Sequence, residues 1–221
     1  MFRLISPATL PDVVAAEADA GLSVPTNEAD AAAARTRADY GRVSRWGLGV
    51  LGTVGAALGI AVASFAADVV TSTTDLTGDL LLILLALLVA AALAVPSIGL
   101  LIALHRSGRR LASAAAYWAA LPYRLGRRAP TRGDWFTVRF AAFSADLFLR
   151  LITSALAALV TMFAVALAVR SVVASAAADE FVLWSGWAVL FAAVCGGQFG
   201  GVQRVQNGYL NRDPARLFGR R

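Results

Sequence analysis

Four stretches, about residues 46–70, 80–104, 150–170 and 181–203, each contain at least 18 consecutive residues without a charge. That is the length a helix needs to cross the hydrocarbon of a bilayer, and few soluble folds can absorb four such blocks. The rest of the composition agrees: 58% of the residues are hydrophobic and the mean hydropathy is +0.67, more apolar than soluble globular chains. The expected fold is therefore all-α, a polytopic integral membrane protein with four transmembrane helices in a bundle. At ~1.5 Å per residue a 25-residue span reaches roughly 37 Å, so tilt or projection beyond a ~30 Å core is expected. Pro96 is expected to kink the second span, WGLGVLG opens the first, and Trp46 marks its interface.

Charge orients the spans. The connection at 71–79 carries Asp75 and Asp79 without an Arg, whereas 105–149 holds eight Arg and two acids, and the tail at 204–221 carries Arg204, Arg212, Arg216, Arg220 and Arg221. With the arm (1–45), the middle loop and the tail in the cytoplasm, only Arg170, at the edge of the 171–180 connection that ends in Asp179 and Glu180, falls on the far side. The positive-inside rule then predicts both termini inside and a location in the cell inner (plasma) membrane. The first 20 residues contain Asp12, Glu17 and Asp19 and no continuous apolar run, so the first span is expected to act as the insertion signal.

The arm is broken by Pro7, Pro11 and Pro25 and then reads ADAAAARTRADYGRVSRW, a helical stretch that Thr26 or Asn27 is placed to cap. It carries six acids and five Arg, with Arg35, Arg37, Arg42 and Arg45 gathered toward the first span. All 20 basic residues of the chain are Arg, a bias that extends to ordinary loop positions and is read as genomic composition rather than as a demand for bidentate donors. The pI near 10.6 does not indicate nucleic acid, because no soluble basic module accompanies it. Anionic headgroups are the expected partner.

The string Gly47-Leu48-Gly49-Val50-Leu51-Gly52 matches a dinucleotide fingerprint by letter, but it lies inside a span and lacks the preceding strand that such a site requires. Packing is the better account. Gly52, Gly55 and Gly59 make one small-residue face, and Gly196 with Gly200 and Gly197 with Gly201 make two overlapping GxxxG pairs beside Gln198 and Gln203. The sequence leaves open whether these faces pack within the chain, against another copy, or against other membrane subunits.

In the middle loop Leu111, Ala115, Trp118 and Leu125 fall near one side at helical spacing, with Arg106, Arg109 and Arg110 away from it. An interfacial amphipathic helix ending near Pro122 is expected, with Trp118 and Tyr123 at the headgroup level and Arg124, Arg127 and Arg128 in the following turn. Further on, Arg139, Asp146 and Arg150 share a helical face beside Phe136, Phe140, Phe143 and Leu147, and Asp146 with Arg150 is expected to form an ion pair.

No catalytic, cofactor or metal site is expected. Cys195 is the one cysteine and His105 the one histidine, and neither a triad, a P-loop nor a metal-binding spacing is present. The central parts of the spans contain no Asp, Glu, Lys, Arg or His, which weakens a transport reading. No internal repeat relates the helix pairs. The function expected is a non-catalytic accessory or scaffold subunit of a membrane complex. The alternative is a small transporter or channel, as a single chain or an oligomer, whose ions meet backbone carbonyls at broken helices.

Overall fold

A computed structural model describes residues 4–74, 76–129, 131, 144–175 and 177–210, apart from the side chains at 76 and 146. Within these residues the chain is helical without strands: α1 (Leu10–Glu17), α2 (Thr26–Gly41), α3 (Val43–Ser72), α4 (Leu76–Arg124), α5 (Ala145–Val173) and α6 (Ala178–Tyr209). Four helices are long and apolar enough to cross a membrane. The expected tail arginines from Arg212 on, Arg139, the phenylalanines at 136, 140 and 143, and the Asp146 side chain lie outside the described residues.

Local chemistry sets the helix ends. Pro11 and Asp12 in the first turn suit the start of α1, where a missing N–H costs nothing and a carboxylate meets the helix dipole. The helix stops in a Schellman turn: Asp19 is left-handed (φ 51°), its N–H donates to the Ala16 carbonyl, and the Ala20 N–H donates to the Ala15 carbonyl at 2.9 Å. Pro25, rather than Thr26 or Asn27, occupies the N-cap of α2, and no side chain caps it. Thr26 is already inside the first turn, where its hydroxyl cannot serve the orphan amides that follow an N-cap. A single non-helical residue, Arg42 (ψ 130°), separates α2 from α3.

The largest departure from the sequence reading is α4. Its 49 residues run unbroken through Pro96, past His105 and on to Arg124, so the surface-lying helix expected after residue 104 is an extension of the second span. Pro122 falls in its last turn, and Gly126 at φ 68° then supplies the left-handed turn that few other residues adopt cheaply.

The chain divides into two compact units. One, the arm unit, comprises residues 1–46, 103–152 and 197–221; the other, the span unit, comprises 47–102 and 153–196. The arm unit has a buried apolar core of Val13 from α1, Ala29, Ala32, Ala33 and Tyr40 from α2, Leu111, Ala115, Trp118 and Leu121 from α4, Leu147 from α5 and Val205 from α6. The spacing of the α2 set, 29, 32, 33, 36 and 40, is that of one helical face. Because the face is mostly alanine, helix axes can approach closely, and burial of each larger partner contributes roughly 1.5–3 kcal/mol.

In the span unit small residues mark the contacts. A β-carbon on Gly52 would meet Leu101 at 3.2 Å, one on Gly59 would meet the Ala94 β-carbon at 2.8 Å and the Ala90 carbonyl at 3.0 Å, and one on Gly55 would collide with the Ser97 hydroxyl. These glycines thus face α4 of the same chain. Across α3 and α6, Gly186 leaves room for Ile60, and the Trp187 indole donates to the Ala57 carbonyl at 3.2 Å. Ser154 of α5 donates to the Cys195 carbonyl at 3.2 Å, which places the lone cysteine, half-buried, in a helix contact. Phe163 and Trp184 meet edge to face at 6.1 Å.

Candidate functional site

The polar groups of the arm unit concentrate where α2, α4, α5 and α6 converge. α2 brings Asp39 and Tyr40, the start of α3 brings Arg45, α4 brings Ser107, and α5 and α6 bring Arg150 and Gln198. Arg45 and Arg150 are both buried. A buried guanidinium is tolerable only if its donors find acceptors, and both side chains are supplied with neutral oxygens. Arg45 donates to the Leu4 carbonyl, to the Leu104 carbonyl at 3.3 Å and to the Ser107 hydroxyl at 3.0 Å. Its Nε is buried with no acceptor. Arg150 donates to Gln198 Oε1 at 2.8 Å and to the Tyr40 carbonyl at 2.7 Å, while its guanidinium lies 4.3 Å from the centre of the Tyr40 ring.

Asp39 ties the N-terminal turn to this cluster. One carboxylate oxygen accepts from the Ser6 backbone N–H at 2.8 Å and the Thr9 hydroxyl at 2.5 Å, and the other stands 2.7 Å from Arg42 Nε, an ion pair without hydrogen-bond geometry. Tyr40 lies against Gly201, where any β-carbon would strike its hydroxyl, and a β-carbon on Gly208 would stand 2.5 Å from the Ala116 α-carbon. These α6 glycines set close approaches to α2 and α4.

Around the cluster the arm meets α4 through paired groups. Arg110 binds Glu17 through two bonds of 2.7 and 2.9 Å, which hold the Glu17 carboxyl below its usual range. Arg128 binds Asp30 at 2.6 Å and stacks on Tyr123 at 5.8 Å, and Arg127 donates to the Leu22 and Val24 carbonyls, each at 2.6 Å. The Trp118 indole donates to the Asp12 carbonyl at 2.9 Å, Arg35 pairs with Asp12 at 2.8 Å, and the Tyr117 hydroxyl accepts from the Gly21 N–H at 3.0 Å.

The residues expected at the lipid interface therefore separate. Trp118 is 3% exposed and packs among α1 and α2, so the arm supplies the apolar cover that the sequence reading assigned to the bilayer. Arg110, Arg127 and Arg128 turn to the arm, whereas Arg106, Arg109 and Arg124 are exposed without such partners among the described residues. Gly197 lies beside His105 and Gly201 beside Tyr40, while Gly196 has nothing within 4 Å and Gly200 meets its own helix's Arg204. Arg150 reaches Gln198 and the Tyr40 carbonyl, partners that its spacing from Asp146 does not suggest.

Chemically, this is a set of holding groups. A guanidinium stays protonated and donates in a fixed plane, which suits clamping carbonyls rather than moving protons. Among the described residues no three His, Cys, Asp or Glu gather as metal ligands would. Among the described residues these features define an all-helical chain with four helices long and apolar enough to cross a membrane, and an arm unit fastened by polar contacts. Comparison with protein families, curated proteins and solved structures finds no match.

Proposed function

We propose that this chain is a non-catalytic component of a cell membrane, an accessory or scaffold subunit of a membrane complex, with both termini cytoplasmic. The observation that carries the reading is how much apolar helix surface the fold leaves open. In α6 only 11% of the most apolar 18-residue window is buried within the chain, and Leu81, Met162 and Val189 are each at least 69% exposed. Lipid or neighbouring subunits must cover such surface. At the same time the arm uses its acids and carbonyls to fix Arg110 of α4 and Arg127 and Arg128 just beyond it, so its polar chemistry serves shape.

The charge asymmetry supports the orientation: the arm, residues 105–149 and the tail hold 18 of the 20 arginines, and the cytoplasmic side retains such residues. Exposed Gly196 offers a close approach for a further helix at the α6 surface. Extraction of the tagged chain in mild detergent, followed by a native gel and mass spectrometry of what travels with it, tests the proposal. A stoichiometric larger complex supports it. A homo-oligomer alone overturns it and favours the small transporter or channel, to be followed by flux assays.

A further inference from the structure

Most of the described arginines of the arm unit fall into two groups. Arg35, Arg42, Arg110 and Arg128 are matched by acids, and Arg37, Arg45, Arg127 and Arg150 by oxygens of the chain. Arg106, Arg109, Arg124 and Arg204 are in neither group: among the described residues they have no ion pair or hydrogen bond. Of these, Arg109 and Arg204 converge on His105. His105 stands with Nδ1 3.2 Å from where a β-carbon on Gly197 would lie, and Arg204 places a terminal nitrogen 3.5 Å from the same position on Gly200. Gly197 and Gly200 are three residues apart, on one face of α6, and Arg109 follows His105 by one turn of α4.

Partial desolvation, and then the charges of Arg109 and Arg204, lower the His105 pKa. Two guanidiniums and an imidazole thus gather at a notch that the glycines leave without side chains. Like charges brought together without a carboxylate are unfavourable unless an anion joins them, and the guanidinium fork fits the oxygens of a phosphate. Position narrows the choice of anion. His105 directly follows the uncharged stretch 80–104 and Arg204 directly follows 181–203, while Phe199, just before Gly200, is 45% exposed. Where two membrane helices end, the phosphates of the leaflet begin, and an exposed phenylalanine beside the notch suits an acyl chain.

We propose that His105, Arg109 and Arg204, around the notch at Gly197 and Gly200, bind the phosphate of an anionic phospholipid. The site rests on the reading of α4 and α6 as membrane-spanning but not on the accessory-subunit role. Native mass spectrometry of the full chain in detergent, titrated with phosphatidylglycerol or phosphatidylcholine, tests it. The wild type is expected to hold the anionic lipid about tenfold more tightly than the zwitterionic one, and R109Q/R204Q to lose that preference. Gly200→Leu, which fills the notch without changing charge, is expected to do the same and replaces the double variant if that variant does not fold. R106Q/R124Q, an equal change of charge at two other exposed arginines, is expected to keep the preference within about twofold.

Loss of preference in R106Q/R124Q equal to that in R109Q/R204Q overturns the site in favour of diffuse attraction. Retention of the preference in folded Gly200→Leu also overturns it, as does displacement of the lipid by millimolar inorganic phosphate, which would make the site one for a free anion. Release of the chain from membranes by alkaline carbonate would instead refute the spanning reading itself, a failure separable from loss of lipid preference.

Discussion

Replacing Trp118 by alanine tests whether the arm is docked on α4 or whether that helix face belongs to the bilayer. Trp118 is 3% exposed, lies in the core with Val13 and the alanines of α2, and donates its indole N–H to the Asp12 carbonyl at 2.9 Å. Removing a buried tryptophan side chain costs about 3–5 kcal/mol, and Trp118→Phe, which loses chiefly the hydrogen bond, costs about 0.5–1.5 kcal/mol. If these costs fall on docking, the undocked population rises by roughly 10²-fold to several 10³-fold in the alanine variant and about tenfold or less in the phenylalanine variant. Amide hydrogen exchange over residues 26–41 in detergent reads this directly, since exchange through local opening follows the population of the open form. Gly21→Val attacks the same contact from the arm, because a β-carbon there would lie 2.7 Å from the Tyr117 hydroxyl and 2.9 Å from Trp118. Exchange in Trp118→Ala within threefold of wild type would refute the docked arm and return Trp118 to the lipid interface.

Gly208→Ala is expected to destabilise the protein by about 1–3 kcal/mol, because its methyl would press on the Ala116 backbone at 2.5 Å, whereas Gly196→Ala, with nothing within 4 Å, is expected to be neutral or slightly stabilising; thermal melts in one detergent compare them. Glu17, held below its usual range by Arg110, contributes docking stability that is fully present above about pH 4.3 and lost as pH falls through its lowered value. Exchange in α1 is therefore expected to rise only on acidification below that point, and Glu17→Gln is expected to remove this component of the profile. A double-mutant cycle on Arg128 and Asp30, whose side chains are 38% and 35% exposed, is expected to give a coupling of only about 0.2–1 kcal/mol in the same melts.

The four apolar helices were legible because hydrocarbon imposes a length and excludes charge, and both constraints are written directly in residues such as 80–104. The docked arm was not, for a physical reason. The stripe of Leu111, Ala115 and Trp118 states that something apolar covers this side of α4, but lipid and protein satisfy that demand equally. The cover itself hides in alanines: Ala29, Ala32 and Ala33 recur at helical spacing, yet alanine is too common in this chain to stand out. A usable signal did exist in charge. Glu17 and Asp30 in an acid-bearing arm have natural counterparts in Arg110 and Arg128, and pairing the two segments by sign would have suggested contact before any lipid was invoked.

The arginine-only basic set follows the same logic. As composition it reads as bias, since it extends to loops and tail alike, and nothing in the sequence separates a needed guanidinium from an incidental one. The fold makes the separation. Arg127 spans two carbonyls, Arg45 reaches a hydroxyl and carbonyls of two segments, and Arg150 links Gln198 on α6 to the Tyr40 carbonyl on α2 while covering the Tyr40 ring. A lysine ammonium at these positions would keep the charge but lose the planar fork that serves separate acceptors at once. Arg106 and Arg124, exposed and without such acceptors among the described residues, give up little in the same exchange. Bias supplied one kind of cation throughout, and the geometry of the arm unit makes that kind necessary at a few positions.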